Sequence, residues 1–245
     1  MGEDRRWFLI NASPDVRQQI EDTPALHPTA DSFRNSPIAG IFLTNADLDH
    51  ALGLLLLRQQ ENPLIIYADP PTRTSVEWID RTLRPFCGIV WHDLKLDRFN
   101  RSSLRAPWSL GNGLTFCAIE LRNSVAFELR DERSGKTAVV APAVGELNDT
   151  LRDAINGADV VLFDGTFWSN DELRAVRPNV RSAREMNHLP ISDGSLEFLR
   201  DSGARRKIYM HINNTNPILM PGSAEREAVE RAGIEIGHDG LEMVL

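Results

Sequence analysis

Apolar and polar positions along the chain alternate in short blocks, which sorts most of it into strands and helices. Apolar runs rich in branched residues recur over 7–10, 38–43, 64–67, 114–119, 124–129, 137–140, 160–163 and 207–210. Each has the length and bounding turn residues of a half-buried or buried strand. Between them, apolar residues recur at helical spacing over 48–60, 72–83, 146–155, 194–201 and 224–232, with Gly233 placed to stop the last helix. Strands crowd together mid-chain and later alternate with helices. That order predicts an α/β (α+β) protein with a pair of sheets flanked by helices, in preference to one regularly alternating sheet. Residues 87–113 show little periodicity and are expected to form a long surface excursion. Neither a repeat nor a linker divides the chain, so one domain over 1–245 is expected.

Composition narrows the function classes. The 42% hydrophobic content can build a sizeable core, and 25% charged residues is an ordinary value. A net charge of −8 without a Lys/Arg-rich run disfavours nucleic acid as a partner. No apolar stretch reaches the roughly 18 residues that span a bilayer. The first residues, Met1 to Arg6, are polar and charged and show no secretory signal. Cys87 and Cys117 each lie in apolar surroundings, which points to reduced, buried thiols and a cytoplasmic location.

The polar residues that look out of place follow strands, where a rigid scaffold can aim side chains at one point. Strand 38–43 leads into Thr44, Asn45, Asp47, Asp49 and His50; strand 160–163 into Asp164, Gly165 and Thr166. Strand 207–210 leads into His211, Asn213, Asn214, Thr215 and Asn216, and a separate segment carries His188 between Met186 and Pro190. For the first group two readings stand. Asn45, Asp47 and Asp49 are caps and His50 a satisfied surface histidine, or Asp49 and His50 reach a common ion at a helix start. Asp164 before glycine is a turn former or a site carboxylate; His211 opens a turn or binds a metal. His188 is a structural histidine or a proton-transfer group. His27, His92 and His238 look incidental.

The order Asp49-His50, Asp164-Gly165-Thr166 and strand-end His211 resembles the metallo-β-lactamase superfamily. More closely, residues 11–19, 44–58, 163–166, 184–189 and 211–219 resemble its branch in pyrroloquinoline quinone (PQQ) biosynthesis. The resemblance implies an αββα sandwich, here without the usual N-terminal strand and cysteine zinc loop, and with a shorter stretch between Leu121 and Ser124. The superfamily's His-x-His-x-Asp-His string corresponds to Asn45-x-Asp47-x-Asp49-His50, so the first of two metal sites is expected to be weak or empty. The second set survives as Asp49, His50, Asp164 and His211, with His188 in a catalytic role and Asn45, Asp47, Asn213 and Asn214 facing substrate. This implies one divalent metal, Fe(II) with zinc as a substitute in purified protein, and O2 as co-substrate. The implied activity is hydroxylation of the tyrosine ring of a Glu–Tyr-derived PQQ precursor. A non-catalytic carrier moving PQQ or its precursor to the periplasm and a metallohydrolase are the alternatives. Expected partners are that precursor or PQQ and other PQQ biosynthesis proteins, with a homodimer among the assemblies allowed.

Overall fold

The computed structural model describes residues 6–28, 36–58, 61–94, 96, 108–111 and 113–245. Contacts gather into two compact units, Met1–Lys95 and Leu96–Leu245.

The first unit holds a four-stranded parallel sheet in the order β1 (Trp7–Ile10), β2 (Ile38–Phe42), β3 (Leu64–Ala68), β4 (Ile89–Asp93). Helices α1 (Val16–Glu21), α2 (Leu48–Ala51), α3 (Pro70–Ser75) and α4 (Glu77–Leu83) occupy the connections. Successive strand residues point to opposite faces, and the sheet uses both. Ile41, Leu43, Leu64, Ile66 and Ala68 form a core with Leu54, Val76, Ile79 and Leu83 from the helical segments. Phe42 stacks on Tyr67 and Tyr67 on His92, with centroids 4.7 and 4.9 Å apart, a ladder across neighbouring strands. His92, expected to be incidental, is a rung of this ladder.

Local chemistry explains why two expected helices depart from their patterns. The 48–60 pattern gives one α-turn and then a 3-10 turn, Leu52–Leu57; Gln59 and Gln60 lie outside the described residues. Gly53 donates its N–H to the Ala12 carbonyl at 2.8 Å, and a Cβ there would sit 2.0 Å from the Ser13 carbonyl oxygen. The helix is pinned against the loop after β1, which only glycine permits. The 72–83 pattern starts earlier, because Asp69 caps the Thr72 N–H at 3.0 Å with Pro70 in the first turn, and it breaks at Val76.

The second unit holds a seven-stranded mixed sheet in the order β11 (Glu235–Ile236), β10 (Arg206–Met210), β9 (Val160–Asp164), β8 (Thr137–Ala141), β7 (Ser124–Asp131), β6 (Leu114–Leu121), β5 (Trp108–Gly111). The pairs from β5 to β8 are antiparallel, as their short connections allow, and those from β8 to β11 are parallel. Helices α5 (Asp149–Asn156), α6 (Glu172–Val176), α7 (Ser195–Asp201) and α8 (Ala224–Arg231) complete it. Val139, Val161, Phe163 and Tyr209 alternate onto one face and pack with Leu151, Ile155, Leu199 and Val229 from α5, α7 and α8.

The expected excursion over 87–113 contains β4 and β5, which corrects that reading; residues 95, 97–107 and 112 lie outside the described residues. Neither Cys87, which is buried, nor Cys117, which is half-buried, forms a disulfide among the described residues, and burial pushes the Cys87 thiol above its ordinary range. Among the described residues no helix is long and apolar enough to cross a membrane.

Tyr209 shows how polar atoms are satisfied in this core. Its hydroxyl meets Ser195 Oγ at 3.0 Å, both residues are fully buried, and burial raises the phenol far above its ordinary value. Tyr209→Phe strands the Ser195 hydroxyl and is expected to lower stability by about 1–2 kcal/mol. Urea unfolding of the two proteins measures it; equal midpoints and slopes would mean that Ser195 finds another partner.

Candidate metal and catalytic site

Parallel pairing decides where the second unit's site forms. In the registers Ala141↔Phe163, Tyr209↔Phe163 and Met210↔Asp164, β8, β9 and β10 end together. The loops beyond them, carrying Val144, Asp164–Phe167 and His211, therefore leave one edge of the sheet. Gly165 lets them close, since a Cβ there would lie 2.9 Å from Tyr209 Cβ and 3.1 Å from the Met210 carbonyl. Its N–H donates to that carbonyl at 2.8 Å.

Asp164 is the centre of the arrangement and is only 1% exposed. Its Oδ2 accepts the Val144 N–H at 2.8 Å and a bond from His188 Nδ1 at 2.7 Å. Its Oδ1 accepts the Thr166 N–H at 3.0 Å and the Thr166 hydroxyl at 2.6 Å. Four acceptor positions meet four donors, the full capacity of an ionised carboxylate. An ion bonded directly to this carboxylate would exchange with one of them.

His188 stands on a fixed turn. A 3-10 turn, Arg184–Met186, ends in Asn187 with φ of 66°, and the His188 N–H returns to the Ala183 carbonyl at 2.9 Å. The imidazole is 9% exposed, edge-on to Phe167 and stacked 5.6 Å from His211. His211 follows β10 in the left-handed region, φ 54°. A branched-off backbone of this kind raises the energy by about 1–2 kcal/mol outside glycine, and such strain gathers where a side chain must be aimed. Its Nδ1 meets Thr166 Oγ1 at 2.7 Å. One ligand atom from each of Asp164, His188 and His211 lies within 4.8 Å of the others. That is a spacing from which a metal ion can draw them together.

The loop carrying His211 is laced to the loop after β9. Asn216, 1% exposed, donates Nδ2–H to the Gly165 carbonyl at 2.8 Å, and the Asn213 N–H donates to the Thr166 carbonyl at 3.1 Å. Glu172 accepts the Trp168 N–H at 2.6 Å and the Thr215 hydroxyl at 2.6 Å. The Asn213 side chain donates to Thr215 Oγ1 at 2.7 Å, and Asn214 is exposed.

In the first unit, His50 is 3% exposed and its Nδ1 lies 3.1 Å from Thr44 Oγ1. Thr44 is gripped by Asn11, whose Oδ1 accepts the Thr44 N–H at 2.9 Å. Asp49 is exposed in the first turn of α2. Asp47 occupies the N-cap position, as the pattern predicts, but its carboxylate makes no cap bond. It accepts the Asn45 Nδ2–H at 2.8 Å instead, while the Asp47 N–H donates to Asn45 Oδ1. The surface-histidine reading of His50 is corrected by its burial. His27 and His238, expected to be incidental, are exposed and bond backbone carbonyls.

Thr166, Thr44, Asn216 and Glu172 carry the support of these histidines; the first three lie in the strand-end segments but were assigned no role from the sequence, and Glu172 was not singled out. The signal for Thr166 was present: a hydroxyl two residues beyond a strand-end carboxylate, in Asp-Gly-Thr.

Comparison with known proteins places the chain. A family described as "Beta-lactamase superfamily domain" matches residues 6–212. Coenzyme PQQ synthesis protein B of Cupriavidus taiwanensis is 37% identical over 264 residues, covering 100% of this chain and 85% of the relative. The crystal structure of Zn(2+)-bound PqqB from Methylobacterium extorquens superposes with a TM-score of 0.82 at 32% identity, covering 100% of this chain and 84% of that one. A diphosphatase of the PhnP family follows at a TM-score of 0.68, with 98% of this chain and 80% of that one covered; at 17% identity it speaks for the fold alone. The chain has the metallo-β-lactamase fold, mixed α/β with two sheets.

Proposed function

The chain belongs to the coenzyme PQQ synthesis protein B family of the β-lactamase superfamily, and from that premise we propose that it is a metal-dependent hydroxylase in PQQ synthesis. The substrate is the tyrosine ring of a Glu–Tyr-derived precursor, and the metal is one Fe(II) ion, which zinc replaces in purified protein. The observation that carries the reading is the cluster of Asp164, His188 and His211, with ligand atoms within 4.8 Å of one another. In this reading Asp164 and His211 ligate the metal while His188 stands beside it, and imidazole and carboxylate ligands suit Fe(II) and zinc alike. Asp49, His50, Asp164 and His211 are the proposed ligands.

Bound iron would supply the redox chemistry for O2 to give one oxygen atom to the ring, the other leaving as water with two electrons from an external reductant. The chain's own residues do the rest. His188, held at Nδ1 by Asp164, takes or returns a proton at Nε2 as the ring is oxidised. Asn45, Asp47, Asn213 and Asn214 are the proposed polar contacts for the precursor.

The test is anaerobic reconstitution followed by exposure to oxygen with the peptide precursor and a reductant. One iron per chain and a product heavier by one oxygen atom are expected. Two metals held about 3.5–4 Å apart would turn the reading to hydrolysis. Binding of PQQ without turnover by the iron-loaded protein would turn it to transport.

A further inference from the structure

Thr166 Oγ1 lies between a carboxylate and an imidazole, 2.6 Å from Asp164 Oδ1 and 2.7 Å from His211 Nδ1. A hydroxyl has one proton to give and can accept on its lone pairs. The Asp164 carboxylate is met at each oxygen by a backbone N–H, Val144 at Oδ2 and Thr166 at Oδ1, so both oxygens act as acceptors. The 2.6 Å contact therefore uses the threonine proton, at the short distance of a charge-assisted bond. With that proton committed, the contact to His211 has one possible polarity: Nδ1–H donates to Oγ1.

We propose that Thr166 is a positioning residue that holds a proton on His211 Nδ1, so that in the neutral imidazole the lone pair falls on Nε2, the nitrogen then offered to a metal. The same carboxylate fixes His188 directly, because Nδ1 at 2.7 Å from Oδ2 must carry the proton. One buried carboxylate thus sets both imidazoles alike, and Thr166 extends its reach to the second. The deduction does not transfer to Thr44. Its partner Asn11 presents both Oδ1 and Nδ2 to the hydroxyl, at 3.1 and 3.0 Å, so the proton is not forced either way. The role of Thr166 in binding rests on the metal reading above; the tautomer does not.

Two measurements on the full chain separate these levels. Long-range proton–nitrogen NMR of the metal-free protein, taken well above the ordinary histidine pKa of about 6.5, reports which nitrogen of His211 carries the proton. Nδ1–H is expected, and Nε2–H overturns the inference. Chelator competition then gives the zinc affinity of wild type, Thr166→Val and Thr166→Ser. Valine keeps the shape without the hydroxyl and is expected to weaken zinc about 10–100-fold, the usual range for a group that orients a ligand. Serine is expected to restore affinity to within about 3-fold, which a shape-only role would not do. Valine binding zinc as tightly as wild type, with His211 still Nδ1–H, overturns the proposal. If valine does not fold, the serine variant and the wild-type tautomer decide. A wild type that binds no zinc, yet shows Nδ1–H, sinks the metal reading and leaves the tautomer standing.

Discussion

Asp164→Ala is expected to lower the stability of the second unit by about 3–5 kcal/mol, the range for removing one partner of a buried charged network. The truncation leaves the Val144 N–H, the Thr166 N–H and hydroxyl, and His188 Nδ1–H without their acceptor in a site where the carboxylate is 1% exposed. Each orphaned buried donor carries a desolvation penalty of about 1–3 kcal/mol, part of it recovered where water enters the new cavity. Asp164→Asn separates shape from charge. The amide fills the space but turns an NH2 toward donors, so two of the four contacts become N–H against N–H. His188 can relieve one by moving its proton to Nε2; the backbone N–H of Val144 cannot adapt. Asparagine is therefore expected to be destabilised by less than alanine and to hold metal no better. Guanidinium unfolding, with zinc affinity beside it, checks both. An alanine variant within about 1 kcal/mol of wild type would mean that the carboxylate is not what satisfies these groups.

What the sequence made legible follows from how local each signal is. Eight apolar runs became strands, since alternation and branched residues act within a few positions. Three strands escaped. β4 is half-exposed at most of its positions, β5 has a serine and a glycine among its four residues and β11 is two residues long, so none offers a run to count. Helices failed where distant backbone intervened: the 48–60 pattern cannot show that Gly53 is pressed against the Ala12 and Ser13 carbonyls. The site divides the same way. Asp164 and His211 stood out as polar residues at the ends of apolar strands and His188 on a separate segment, and the structure brings the three together. Apart from the local Thr166 contacts to Asp164 and the His188 turn, the bonds that orient them join residues 20 to 51 positions apart, such as Asn216 to Gly165 and Thr166 to His211. No periodicity encodes such a pairing; only the parallel register of β8, β9 and β10 does. Asp47 shows the converse, a residue at the expected cap position whose carboxylate serves Asn45.

His188 separates chemistry from metal binding, and its replacement carries the largest expected effect on turnover that spares the metal. His188→Ala is expected to keep most of its metal and to lower hydroxylation about 10²–10⁴-fold, the range for a positioned acid or base. His211→Ala and His50→Ala are expected to lose metal and turnover together, as proposed ligands. The structure sharpens the contrast, because His188 and His211 are stacked imidazoles anchored to one carboxylate, one directly and one through Thr166. They share support, so stability alone cannot distinguish them. Deleting His188 also frees one acceptor position on Asp164 and opens a pocket beside Phe167, a loss of about 1–3 kcal/mol. Three readouts are therefore needed on each variant: melting temperature, metal per chain, and turnover of the peptide precursor per bound metal. Loss of metal from His188→Ala would make it a ligand in its own right, consistent with its place among the three clustered groups. Early melting with normal turnover per metal would leave it a structural residue, its imidazole serving only to satisfy Asp164.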